Sequence, residues 1–119
     1  TVQGDVHDIG KDIVVTMLDI AGFDAVDLGV DVPVAKVVDT VRERGAQVVG
    51  LSGLLTVAFD SMKATVAALD EAGLRGDVKV MLGGAPVTDA VVEFAGADGW
   101  GKDAVAAVEL AKSWTGGAS

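Results

Sequence analysis

Gln47–Leu82 reads QVVGLSGLLTVAFDSMKATVAALDEAGLRGDVKVML, and the fold class follows from it. Its two ends, Gln47–Ser52 (QVVGLS) and Val78–Leu82 (VKVML), are brief β-branched apolar runs, each followed by glycine. Both read as buried strands. Between them Phe59, Met62, Val66 and Leu69 recur at helical spacing, and the stripe stops at Gly73. Strands that do not alternate polar with apolar are buried on both faces, as parallel strands joined by helices are.

The same alternation extends outward. Val34, Val37, Val38 and Val41 form one helical stripe between Pro33 and Gly45. Ile13, Val14, Met17, Leu18 and Ala21 form another, ending at Gly22, and Asp24–Leu28 (DAVDL) between the two reads as a strand. Downstream, Thr88 stands as a cap for a short helix carrying Val91, Val92 and Ala95. Asp98–Trp100 reads as a strand, and Ala104, Val108, Ala111 and Trp114 as a last helix. Thr1–Gly4 occupies the place of a first strand but is short for a central one, so the natural chain is expected to begin upstream. The expectation is an α/β domain: a doubly wound, five-stranded parallel sheet with helices on both faces. It covers residues 1–114, followed by a small, glycine-rich flexible tail, Thr115–Ser119.

Composition narrows the function. Of 119 residues, 50% are apolar, and a domain this size buries roughly two-thirds of its unfolded surface. With no cysteine, disulfides, zinc–thiolate sites, iron–sulfur clusters and a thiol nucleophile are excluded. Nine basic against eighteen acidic residues give a net charge of −9, which repels phosphate backbones and argues against nucleic acid as a partner. No apolar run approaches the roughly 18 residues of a membrane span, and the expected location is cytoplasmic.

Ligands of such sheets bind beyond the carboxyl ends of the strands. Those ends are Gly4–Gly10, Gly29–Pro33, Ser52–Ala58, Gly83–Val87 and Gly99–Lys102, and the single histidine lies in the first. GDVHDIGK (Gly4–Lys11) is not a phosphate-binding P-loop: five residues, not four, separate its glycines, and Asp12 stands where a hydroxyl should hold magnesium. The dinucleotide spacing of glycines is absent as well. Ser52 lacks the second glycine of a nucleophile elbow. Asp5-x-His7 remains. A carboxylate beside an imidazole accepts one ring N–H, which fixes the tautomer and makes the other nitrogen a better metal donor. One histidine cannot build a zinc or iron site, but it can supply one axial ligand to a metal already held by a macrocycle. Taken alone, such a pair is more often a surface histidine satisfied by a neighbouring aspartate.

The pair is not alone. Asp5-x-His7-x-x-Gly10, then 41 residues, Ser52-x-Leu54, then 28 residues, and Gly83-Gly84 together resemble the cobalamin-binding fingerprint across nearly the whole chain. The resemblance implies a flavodoxin-like (Rossmann-like) form of the sheet and cobalamin or a related cobamide as cofactor. It implies base-off, histidine-on binding, with His7 the axial cobalt ligand through Nε2 and Asp5 orienting and tuning it. Gly4, Val6, Asp8, Ile9 and Gly10 would line the lower corrin face. Ser52 would hydrogen-bond the base of the displaced nucleotide tail, and Leu54 and Thr56 would lie at the mouth of its slot. Gly83 and Gly84 would leave room for that tail, with Trp100 and Gly101 flanking it.

Two departures stand out. Ala58 sits where methionine synthase has a serine that continues the aspartate–histidine relay, and the N-terminal helical module that caps the upper face in relatives is not expected within residues 1–119. SGLLT (Ser52–Thr56) and GADGW (Gly96–Trp100) are similar to small corrinoid methyl carriers and to the cobalamin domain of methionine synthase. That similarity implies a carrier, inactive alone, that shuttles a methyl group through cobalt(I) and methylcobalt(III). Its partners would be donor-side and acceptor-side methyltransferases and a reductive activator. The alternatives are the binding domain of an adenosylcobalamin-dependent mutase and a cobalamin-dependent sensor or regulator. A phosphoacceptor receiver domain is disfavoured, because the strand Gln47–Ser52 ends without an aspartate.

Overall fold

A computed structural model describes residues 1–115 apart from Val6, Asp8 and the side chain of Ile9. The helices are α1 (Ile9–Ile20), α2 (Val34–Arg44), α3 (Val57–Glu71), α4 (Asp89–Ala95) and α5 (Ala104–Thr115). The strands are β1 (Val48–Ser52), β2 (Lys79–Gly83) and β3 (Gly99–Gly101), with a short 3₁₀ turn at Arg75–Asp77. Residues 116–119, most of the expected tail, lie outside the described residues, and Thr115 closes α5.

All strand pairing is parallel, in the order β1-β2-β3. Val49 faces Val80, Leu51 faces Leu82, and Gly83 faces Gly101. Side chains alternate across a strand, so β2 serves two cores. Val80 and Leu82 join Val49, Leu51, Met62, Leu69 and Val91 under α2, α3 and α4. Met81 points the other way, against Ala107 and Ala111 of α5, with Val14 and Leu18 of α1 beside them. Helices therefore cover both faces, as expected.

The five-stranded expectation needs correction: three strands form among the described residues. At the position of the first, the chain turns at Gln3–Gly4, leaving one isolated parallel bridge, Val2 to Val32. Val2 N–H donates to the Ser52 carbonyl (3.0 Å) and Val32 N–H to the Thr1 carbonyl (3.1 Å), so these two extended points continue the sheet beyond β1. Asp24–Leu28 forms no ladder. A strand needs a partner of its own length, and hydrogen bonds from this region to Thr1 and Asp5 start only at Gly29. The last strand is shifted by one residue, to Gly99–Gly101.

The helices follow their apolar stripes with three exceptions. Ile13 of the expected α1 stripe is half exposed, while Val14 and Leu18 pack inward. Thr88 sits at the start of α4 with extended backbone, but its hydroxyl makes no capping bond. In α5, Ala107 is buried and was not in the expected stripe, whereas Ala104 is only half-buried. Helix α2 ends as read: Gly45 adopts φ 61°, ψ 39°, and its N–H bonds to the Val41 carbonyl at 2.9 Å.

One ion pair pins the start of β2. Asp98 Oδ2 accepts Val80 N–H at 2.8 Å and Arg75 Nη1 at 3.0 Å. Burial pushes the Asp98 carboxyl up, but the Arg75 guanidinium and the Val80 amide outweigh it and hold the group below its ordinary range. A depressed carboxylate stabilises the fold above the unfolded-state value, and that contribution is lost as the pH falls through the folded-state value. Stability should therefore fall on acidification below about pH 4. Asp98→Asn should shrink that fall by about 1 kcal/mol, read from urea midpoints across the acid range. An unchanged pH profile would remove Asp98 from the account.

Candidate functional site

The carboxyl ends of β1 and β2 meet the loop that carries the histidine. Asp5 lies beneath that loop, 0% exposed. Its Oδ1 accepts His7 N–H at 2.9 Å and bonds His7 Nδ1 at 2.6 Å. Its Oδ2 accepts the backbone N–H groups of Leu54 (2.7 Å) and Leu55 (3.0 Å). Burial raises the Asp5 carboxyl, but these four donors outweigh it and hold the group far below the usual carboxylate range. An ionised carboxylate only accepts, so the imidazole proton sits on Nδ1. In the neutral ring Nε2 then carries the lone pair that a metal could take, nothing among the described residues bonds it, and the His7 side chain is 45% exposed.

The rest of the loop is clamped by polar contacts. The Thr1 hydroxyl donates to the His7 carbonyl (2.8 Å), Gly4 N–H to Asp31 Oδ1 (2.8 Å), and Asp31 N–H to the Asp5 carbonyl (2.8 Å). Lys11, in the first turns of α1, bonds Asp12 and Asp27. Gly10, also in α1, is exposed, and nothing among the described residues lies within 4 Å of where a Cβ would stand. Val6, Asp8 and the Ile9 side chain lie outside the described residues.

Sequence reasoning named Leu54 but missed Leu55 and Val57 beside it. Leu54 and Leu55 of the β1–α3 connection and Val57 at the start of α3 are 42%, 44% and 51% exposed. Val57 adjoins the histidine loop: a Cβ on Gly4 would stand 3.9 Å from Val57 Cγ1. An oriented, exposed imidazole beside an apolar ledge suits a flat macrocycle whose metal needs one lower ligand. The signal was present in the run Leu54-Leu55-Thr56-Val57, whose apolar residues belong neither to the β1 core nor to the buried stripe of α3.

The remaining expected residues fall into place unevenly. Ser52 is half-buried at the end of β1. Thr56 lines a shallow groove of about 260 Å³ between α3 and α4, together with Phe59, Asp60, Ala90, Val91 and Phe94. Trp100 packs against the main core, and its indole N–H is committed to Asp89 Oδ1 at 2.6 Å. Gly101 is buried against α5, with Ala107 N 2.9 Å from where a Cβ would stand. Gly84, read as leaving room for the tail, also has a close backbone neighbour: the Gly53 carbonyl oxygen lies 1.9 Å from where a Cβ would stand. Gly53 N–H bonds the Gly83 carbonyl at 3.1 Å, so the two strand-end loops are in backbone contact. Ala58 is fully buried and has no hydroxyl to offer the carboxylate, whose Oδ2 is met by the Leu54 and Leu55 backbone amides.

Fold and site together describe a corrinoid-binding α/β domain, and comparison with known proteins agrees. The B12 binding domain family model matches residues 1–109. The chain belongs to this family, and its cofactor is cobalamin or a related corrinoid. It is 47% identical over 112 residues to the dimethylamine corrinoid protein of Methanosarcina barkeri, covering 94% of this chain and 53% of that protein. Among solved structures, a cobalamin-binding protein from Desulfitobacterium hafniense superposes with a TM-score of 0.94 at 50% identity, over 96% of this chain and 56% of that one. The methanol:cobalamin methyltransferase complex of Methanosarcina barkeri superposes with a TM-score of 0.88 at 31% identity, over 99% of this chain and 46% of its own. The chain thus spans about half the length of most of these relatives. Among the described residues no helix is long and apolar enough to cross a membrane.

Proposed function

We propose that this chain binds its corrinoid base-off and histidine-on and carries a methyl group between partner methyltransferases. The observation that carries the reading is the Nδ1–Asp5 bond of 2.6 Å, which turns Nδ1 of an exposed histidine to the carboxylate and leaves Nε2 as the ring nitrogen that a metal could take. The relatives add direction: one is named for dimethylamine, and another is part of a methanol:cobalamin methyltransferase complex. When bound, the corrinoid supplies the alkyl-transfer chemistry, its cobalt accepting a methyl group and giving it up. The protein's share is to hold and orient. His7 provides the lower ligand, Asp5 keeps the imidazole proton on Nδ1, and the Leu54–Val57 ledge shields the lower side from water.

The test is a titration of the purified protein with aquacobalamin, followed by reduction to cobalt(II). Binding near one to one is expected, with an electron paramagnetic resonance spectrum split by a single protein nitrogen. Isotopic labelling of histidine should change that splitting; an unchanged splitting would exclude His7 as the ligand.

Ser52 is the proposed donor to the buried base of the nucleotide tail. Ser52→Val should weaken aquacobalamin binding by roughly five- to a hundredfold, the cost of one unmade buried hydrogen bond. Thr56→Val, at the exposed groove between α3 and α4, should weaken it far less. Equal dissociation constants for the two variants would leave Ser52 a structural hydroxyl.

A further inference from the structure

Asp5 does more than its sequence neighbourhood requires. A carboxylate that only oriented His7 would need one oxygen. The second oxygen accepts the N–H groups of Leu54 and Leu55, 49 and 50 residues away. These two residues lie between the end of β1 and the start of α3, outside both ladders, so no regular structure supplies partners for their amides. The packing is close around Gly53. A Cβ on Gly53 would stand 2.4 Å from the Ala58 methyl and 3.5 Å from Asp5 Oδ2. The carboxylate, the turn and the first turn of α3 therefore occupy adjoining space. Ser52 directly precedes this turn, and Gly53 N–H ties it to Gly83.

We propose that Asp5 is a positioning residue for two cofactor-binding elements at once: Oδ1 sets the ring of His7, and Oδ2 holds the turn that follows Ser52. The proposal rests on the reading of His7 and Ser52 given under Proposed function. It links the cobalt ligand and the tail seat through one buried side chain, so a change at either element is felt at the other. Asparagine at this position has one oxygen and one NH₂. Its NH₂ must face either His7 N–H or the two leucine amides, all of them donors, so at least one side loses its acceptor.

The two roles separate when the histidine is removed. If Asp5 acted only through His7, Asp5→Asn would be silent in a His7→Ala background. If it also holds the turn, the double variant should bind aquacobalamin about tenfold or more weakly than His7→Ala alone, as expected for buried donors left unpaired. Diaquacobinamide, which lacks the nucleotide tail, should bind these two variants alike, whereas a general loss of structure would weaken both corrinoids.

A second measurement needs no corrinoid. Amide exchange at Leu54 and Leu55 should speed up by about tenfold or more in Asp5→Asn, while Met62 and Leu69 of α3 keep their protection. Should Asp5→Asn fail to fold, the parent protein still decides: magnetic resonance couplings across the hydrogen bonds should join both leucine amides to the Asp5 side-chain carboxyl carbon. Missing couplings, unchanged exchange, or an Asp5→Asn substitution silent in the His7→Ala background would overturn the proposal. Failure of the parent to bind aquacobalamin would instead strike the function, leaving the exchange and coupling results to stand or fall separately.

Discussion

Gly84→Ala is expected to lower the thermal midpoint by about 10 °C or more, a loss of about 3 kcal/mol or greater. Two independent costs add. Gly84 sits at φ +128°, a conformation L side chains rarely adopt, and strain of this kind costs about 1–3 kcal/mol. The new methyl would also stand 1.9 Å from the Gly53 carbonyl oxygen and 3.0 Å from its carbon. Both are backbone atoms, so the strand-end loops of β1 and β2 would have to part, at an overpacking cost of about 1–3 kcal/mol. Gly83→Ala is the matched control, since nothing among the described residues lies within 4 Å of its Cβ position and its φ is not positive. It should change the midpoint little. Equal midpoints for the two variants, measured by calorimetry, would show that the loops separate freely and that the Gly53–Gly84 contact holds nothing together.

The glycine pair illustrates what a sequence makes legible. That Gly83-Gly84 follows a strand and leaves room was readable; that the Gly53 carbonyl comes up against Gly84 was not, because it is 31 positions away in the chain. Local periodicity served the regular elements well. The strands at 47–52 and 78–82 were placed within one residue of β1 and β2, and Met62, Val66 and Leu69 are buried as their spacing required. Asp24–Leu28 failed for a physical reason that no local pattern contains: a strand exists only against a partner, and the chain beside it is extended at Thr1–Val2 alone. The site divides in the same way. Asp5 and His7 are two residues apart, so their bond was visible in the spacing. The bonds from Asp5 to Leu54 and Leu55 connect different strand ends, and although Leu54 was placed at the mouth of the slot, nothing in the spacing gave its amide a carboxylate partner.

His7→Ala should leave the fold intact and remove the nitrogen ligand altogether. The side chain is 45% exposed, so its truncation should change stability by about 0.5 kcal/mol or less from lost packing. The exception is the Asp5 oxygen that loses its ring N–H partner, and that oxygen still accepts His7 N–H at 2.9 Å, a bond from the backbone that survives the substitution. Corrinoid retention should suffer far more. Loss of a residue that merely supports a metal ligand costs roughly ten- to a hundredfold in affinity, and loss of the ligand itself should cost at least that. The cobalt(II) spectrum of the variant should show no protein nitrogen coupling. Free imidazole in the buffer should restore both a nitrogen splitting and part of the affinity, because the Asp5 carboxylate remains in place to accept its N–H. A variant that kept the parent's affinity and its nitrogen splitting would mean that another group binds the metal, and the Asp5–His7 pair would then be a surface hydrogen bond.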